Sequence, residues 1–600
     1  MAQKQIPVRS EADPKRCWAV EDIFPTEEAW EAELEACKSM PVELASYAGR
    51  LGESAEVLLD YLNTMERINR RVEKLFVYAY LRLDEDTANA AHQAMKGRCF
   101  SFVVELSSAA AFEGPELVAL EEETLNRFYA EAPGLEKYRR YLTKARLERA
   151  HILSKAEENL LAAQAEVSGA PSEIYNTFLN ADLSFPDVAD SEGTLHPLTN
   201  GSYIPLVENR DRTLRKNAFE AFYARYKEFE NTTAACYQAE VKKNIFHARA
   251  RKYNSALAAA MEPSEVPVEV YHNLLAAVHE NLPQLHRYMA LRKKIMGLDE
   301  LHMYDIYVNL VPDAEEEISF ERAAEEVAEA MAVLGEDYTA MLRESVSARW
   351  MDVYENKGKC SGAYSCHCPD VHPFVLLNHK DDLSSEFTVA HELGHAMHSY
   401  LSDRAQPPVY ADYVLFVAEV ASTCNEALLM QHLLAKENTK EKEAFLLNYF
   451  LEQFRTTLFR QAMFAEFELQ AHEMAERGET LTAAVLNELY LELNRVYYGD
   501  AVVVDPAIAG EWARIPHFYR CFYVYQYATG FSAAMALSDR ILREGQVAVE
   551  DYLRFLSGGS SADPVTLLKQ AGVDMSTPQP VNAAMDLFAG LIDRLEGLIG

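Results

Sequence analysis

The pentapeptide His391-Glu392-Leu393-Gly394-His395 does its chemistry only on an α-helix. Side chains four residues apart then share a face, so two imidazoles reach one Zn²⁺ and Glu392 stands beside a water on that ion. A chain built around it must supply a helix, a third ligand and a substrate cleft. The flanks suit a helix. Ser384 and Ser385 can cap its start, Glu386 suits the first turn, and Phe387, Ala390, Met397 and Leu401 give it an apolar side. Pro407 and Pro408 fall past its expected end.

Chance alone yields this pattern in a chain of this size at roughly a few per cent, and two histidines without a metal are then the plain alternative. The next segment shifts the balance. Asp412 to Met430 reads as a second helix, with Glu419 inside Phe-Val-Ala-Glu-Val-Ala. An unpaired carboxylate in such surroundings costs several kcal/mol, on the order of a buried ion. Glu419 lies 24 residues after His395, enough for a turn and a return. His391, His395 and Glu419 plus a water make a two-His-one-Glu catalytic zinc set. Glu426, seven residues on, shares the Glu419 face and is the candidate for holding an imidazole from behind. Asp412 fits a capping role better, and His398 fits packing below the site better than ligation.

The rest of the 600 residues is mostly helical in period. Apolar positions recur at three and four over Ala55 to about Leu81, Ala91 to about Phe112, 212–251, Val268–Ile295, 320–346, 439–477 and 482–497. A stretch with Pro and Gly, 170–205, interrupts this. The expected division is a helical region 1–112, a smaller subdomain 113–205 and a catalytic region 206–600. Trp350 to His379 departs from helix. There Phe374 to Asn378 reads as a strand behind Pro373, at a sheet edge where an extended peptide could pair, or as a support for the motif helix. Cys360, Cys366, His367 and Cys368 are too tightly spaced for a structural zinc and read as free thiols. Nine scattered cysteines suit a reducing cytosol. Residues 1–10 lack an apolar leader core, no apolar run reaches a membrane span, and a net charge of −36 disfavours nucleic acid. The expectation is a cytoplasmic protein with no membrane or nucleic-acid partner; oligomeric state stays open.

The runs His391-Glu-Leu-Gly-His-Ala-Met-His and Phe416-Val-Ala-Glu-Val-Ala-Ser closely resemble the thimet oligopeptidase/oligopeptidase F family, on the oligopeptidase F side. Lys252-Tyr-Asn-Ser-Ala-Leu, Met303-Tyr-Asp-Ile-Tyr, Gly362-Ala-Tyr-Ser-Cys, His372-Pro-Phe-Val-Leu-Leu-Asn and the Pro516–Gly530 run match as well. The resemblance implies a mostly α fold, a large helical bundle split by a deep substrate channel, with a small β-sheet next to the motif helix. It implies one zinc per chain and cleavage of internal bonds in short peptides, with Glu392 as general base. It also implies that Tyr527 and His517 stabilise the oxyanion and bind substrate, with Tyr519, Tyr523 or Tyr525 as a further contact. Gly362, Ala363 and Tyr364 are expected to align the peptide, together with His517, Tyr523 and Tyr525. Four tyrosines and one histidine in eleven residues are in any case too polar for a routine core.

Overall fold

The computed structural model describes residues 6–311, 317–436 and 439–599. Helix makes up 72% and strand 3%, so the fold is mostly α, as expected. No helix among the described residues is long and apolar enough to cross a membrane.

The chain forms two compact units, both discontinuous in sequence. The first takes Met1–Ala150, Glu315–Leu429 and Leu537–Gly572; the second takes His151–Ala314, Met430–Ala536 and Val573–Gly600. In the first unit, helix Ala55–Glu85 starts where the Ser54 side chain accepts the Val57 N–H. It buries Leu58, Tyr61, Leu62, Ile68, Val72 and Leu75, spaced for one helical face. Trp18, Trp30, Phe128 and Leu135 join the same core, and so do Phe374 and Leu376. Each such side chain stabilises the fold by roughly 1.5–3 kcal/mol. In the second unit the expected long helices are present but jointed. The 212–251 run is two helices, Arg212–Glu228 and Glu230–Ala250. Helix Lys155–Thr177 runs through Pro171, so the helical pattern persists further into the 170–205 stretch than the sequence indicates. A short hairpin, Val188–Ala189 with Leu195–His196, follows.

A three-stranded sheet in the first unit has Phe374–Leu376 at its centre. It pairs in parallel with Met351–Asp352 and antiparallel with Tyr364–Cys366. This corrects the expectation of an edge strand at Phe374 to Asn378. Phe374, Val375 and Leu376 are each 0% exposed, and the outer strands are Met351–Asp352 and Tyr364–Cys366. Lys359 pins the sheet from within. Its buried ammonium donates to the carbonyls of Asp352, Tyr354 and Leu377 and lies 2.7 Å from the Asp352 carboxylate.

The motif helix spans Leu383–Ala405. Its cap is Asp382, whose side chain accepts the Ser385 N–H at 2.8 Å. Ser384 and Ser385 are therefore inside the helix, and the Ser385 hydroxyl accepts the Lys380 N–H instead. The helix is buried nearly all round. It packs on helix Phe320–Ala330, on strands Tyr364–Cys366 and Phe374–Leu376, and on helix Gln546–Leu556.

Candidate metal centre and active site

The helix Leu415–Ala435 returns along the motif helix, and Gly394 sets how closely. A Cβ at residue 394 would lie 2.6 Å from the Ser422 Cα and 2.8 Å from the Ala421 carbonyl. Only glycine permits that approach. The Asn425 amide, fully buried, donates to the Ala390 carbonyl and ties the two helices one turn away.

The approach brings three donors together. His391 Nε2 lies 3.2 Å from His395 Nε2 and 3.3 Å from Glu419 Oε2; His395 Nε2 is 3.7 Å from the same oxygen. Ligand atoms about 2.0–2.1 Å from a tetrahedral ion stand roughly 3.3–3.4 Å from one another. The donor set and spacing therefore fit a zinc-type centre. Among the described residues this is the one such cluster of three or more His, Cys, Asp or Glu. His391 Nδ1 meets Glu426 Oε1 at 2.5 Å. The His391 imidazole is thus held from behind, which leaves its Nε2 for the centre. Ser422 donates to Glu419 Oε2 at 3.3 Å.

Electrostatically the site is built around one positive charge. Burial opposes a charge on His391, but Glu419 and Glu426 overcome it and raise its pKa well above the usual value. Burial and the neighbouring His391 push His395 down to about 4. Burial also works against the Glu419 charge, yet the two imidazoles hold its carboxyl below the ordinary range. Glu392 is 6% exposed and its Oε2 has no hydrogen-bond partner. Burial pushes its pKa to about 7, His391 draws it down, and Glu419 and Glu426 add repulsion. Glu392 is thus a buried carboxylate with an orphaned oxygen beside three metal-type donors.

His398 does not join the donors. It stacks on Tyr413 at 3.6 Å, 5° from parallel, and burial lowers its pKa to about 3. Asp412 is exposed, ahead of the return helix. Cys360, Cys366 and Cys368 are free thiols, and burial raises the pKa of each.

Gly362, Ala363 and Tyr364 lead into the sheet's edge strand. Gly362 has φ +86°, the left-handed turn that starts it. With Thr388 on the motif helix, Gly362 and Ala363 line a cleft that also takes in Leu377, Asn378 and Ser384. Thr388 is one turn before Glu392. The Tyr364 side chain does not face that way. Its hydroxyl donates to Asp84 at 2.7 Å and its ring lies against Trp18 and Tyr80, so only its backbone serves the edge.

The aromatic segment belongs to the second unit. His517 sits on the short turn Pro516–Tyr519, and Phe522, at φ 50°, bends the chain into helix Tyr525–Glu544. The Phe522 N–H donates to the buried Glu468 carboxylate at 2.7 Å, which stabilises that left-handed residue. His517, Tyr523 and Tyr527 form one cluster. The His517 ring is 6.0 Å from each tyrosine, and the Tyr527 hydroxyl donates to that of Tyr523 at 3.4 Å. Tyr525 does not belong to it. It is 2% exposed and packs on Tyr271. Tyr519 stacks on Tyr175 at 4.2 Å. Of the candidate tyrosines, Tyr523 is the one the structure places with Tyr527 and His517.

Sequence reasoning missed Gly394 and Asp84. Gly394 carried a signal, since glycine inside a helix costs about 1 kcal/mol relative to alanine and is retained for packing. Asp84 carried none.

A motif helix with two histidines, a returning glutamate and a buried second carboxylate has the donor set of a metallopeptidase centre. The comparisons agree: residues 205–587 match peptidase family M3 and residues 116–185 match oligopeptidase F. The chain belongs to peptidase family M3, in its oligopeptidase F group of metalloendopeptidases. It is 44% identical to Oligopeptidase PepF of Bacillus subtilis (strain 168) over 595 residues, covering 99% of this chain and 89% of that one. A solved chain from Chlamydophila abortus superposes with a TM-score of 0.94 at 34% identity, covering 99% of this chain and 100% of that one. The oligoendopeptidase-F structure from Enterococcus faecium gives 0.73 at 35% identity, covering 96% and 99%.

Proposed function

We propose that this chain is a cytoplasmic, zinc-dependent endopeptidase that hydrolyses internal bonds of short unstructured oligopeptides. The observation that carries the reading is the His391, His395 and Glu419 triad with the orphaned, buried Glu392 beside it. These three residues would hold one zinc per chain. When bound, the ion supplies Lewis-acid polarisation of the scissile carbonyl and lowers the pKa of a water. Glu392 takes the proton from the attacking water and passes it to the leaving amine. Glu426 keeps the His391 Nδ1 proton in place, so its Nε2 stays a donor. Tyr527 and His517 donate to the developing oxyanion, with Tyr523 bonded to Tyr527 as their support. That role comes from the family resemblance, and the polar cluster of these three rings is consistent with it. A peptide backbone pairs along the Gly362–Cys366 edge, with Ala363 and the Tyr364 backbone in that run.

The test is digestion of a mixed peptide library by the purified chain, mapped by mass spectrometry. Cleavage at internal bonds, abolished by chelator and restored by Zn²⁺, is expected. Stepwise removal of C-terminal residues, or cleavage indifferent to chelator, would refute the reading.

A further inference from the structure

The edge that the proposed function gives to the substrate does not stand alone. The turn before it, Gly358 to Tyr364, is fastened to the C-terminal end of helix Ala55–Glu85. The Cys360 N–H donates to the Asp84 carbonyl at 2.9 Å, and the Tyr364 hydroxyl donates to the Asp84 carboxylate at 2.7 Å. The Thr87 N–H and hydroxyl both donate to the Gly358 carbonyl, at 2.7 and 2.9 Å. From the sheet side, the Asn378 amide donates to the carbonyls of Cys360 and Gly362 at 3.0 and 2.8 Å. Asp84 is 4% exposed, and it grips the segment at two points four residues apart, once by backbone and once by side chain.

We propose that Asp84 is a positioning residue for peptide binding: it fixes the register in which the Gly362–Cys366 edge presents its backbone groups to a substrate strand. The inference rests on the reading that a peptide pairs along this edge. Register matters because a one-residue slip of a paired strand turns every side chain to the opposite face. A three-residue strand has too few ladder bonds to hold its own register, and its outer side offers none until substrate arrives. Tyr364 serves as the handle. Its ring is seated against Trp18 and Tyr80, so the hydroxyl reaches Asp84 while the backbone stays at the edge. Helix Ala55–Glu85 lies outside both family matches, yet it would set how substrate binds.

The experiment is steady-state cleavage of a quenched-fluorescent oligopeptide by the zinc-loaded full chain and three variants: Tyr364→Phe, Asp84→Asn and the double variant. Each single variant is expected to raise KM about three- to tenfold, the range of one net hydrogen bond, with kcat and zinc content within about twofold of the parent. The double variant should be no worse than the worse single one, because both changes remove the same contact. An unchanged KM in Tyr364→Phe, which keeps the ring, overturns the proposal even if Asp84→Asn does not fold. So does a loss shared equally between kcat and zinc content. Backbone N-methylated peptides on the parent enzyme separate the two readings. If methylation is harmless at every position, edge pairing itself is wrong. If it raises KM at some positions while the variants behave normally, only the role of Asp84 falls.

Discussion

Without metal, the His391 imidazole is clamped between two carboxylates, with Glu419 on one nitrogen and Glu426 on the other. That arrangement keeps a proton on it well above the ordinary histidine range. A metal must displace this proton. Zinc affinity should therefore rise by up to about tenfold per pH unit until the metal-free pKa of His391 is passed, and then level off. Chelator-competition titrations at pH 6, 7 and 8 read this directly; a flat affinity would show that His391 is already neutral. Glu426→Gln keeps the shape of the clamp and removes its charge. Zinc affinity should fall roughly 10- to 100-fold, as for other groups that orient a ligand. The same titration at fixed pH checks it. Glu392→Gln tests the base. Zinc content should hold while kcat drops about 10²- to 10⁴-fold, and retained turnover would remove Glu392 from the mechanism.

At the scale of elements, the distance between two helices makes the centre. Gly394→Ala places a methyl 2.6 Å from the Ser422 Cα, against backbone that cannot step aside as a side chain could. Overpacking of this kind costs about 1–3 kcal/mol. Here it would also draw Glu419 away from the histidines. The variant should retain less than a tenth of the zinc after dialysis and melt lower; full zinc retention would mean that the helices tolerate the spacing. The motif helix and the glutamate that its partner helix brings beside the histidines were legible in sequence for a physical reason. Four-residue spacing fixes a face, and a glutamate inside an apolar helix needs a partner. The sheet was not legible in the same way. Phe374–Leu376 reads as apolar and extended, but its central place depends on pairing with Met351–Asp352 and Tyr364–Cys366, which a three-residue strand does not encode. Tyr525 is the same kind of case. Its separation from Tyr523 and Tyr527 depends on where helix Tyr525–Glu544 begins and on the left-handed Phe522 ahead of it, which the sequence does not mark. The cap at Asp382 rather than Ser384 or Ser385 reflects a segment in which all three residue types can cap.

At the scale of the molecule, the motif helix depends on chain that returns from far away. Leu537–Gly572 belongs to the first unit, and linear divisions at 112 and 205 do not separate it from the second. Phe555 lies 5.5 Å from the His398 ring of the motif helix, and the Ser560 N–H donates to the Tyr410 carbonyl at 2.9 Å. Arg140 donates to the Ser560 carbonyl at 2.7 Å, closing the same unit from its N-terminal part. Tyr552, Phe555, Leu556 and Leu568 are each at most 3% exposed. At roughly 1.5–3 kcal/mol apiece these four contribute about 6–12 kcal/mol, as much as a typical domain's whole stability. A chain ending at residue 536 keeps His391, Glu392, His395 and Glu419 but lacks this support. It should fail to accumulate as soluble protein, or accumulate without zinc, when its soluble yield and metal content are compared with those of the full chain. A soluble, zinc-loaded 1–536 chain would show that the motif helix and its partner are self-sufficient and that the returning segment is dispensable to the site.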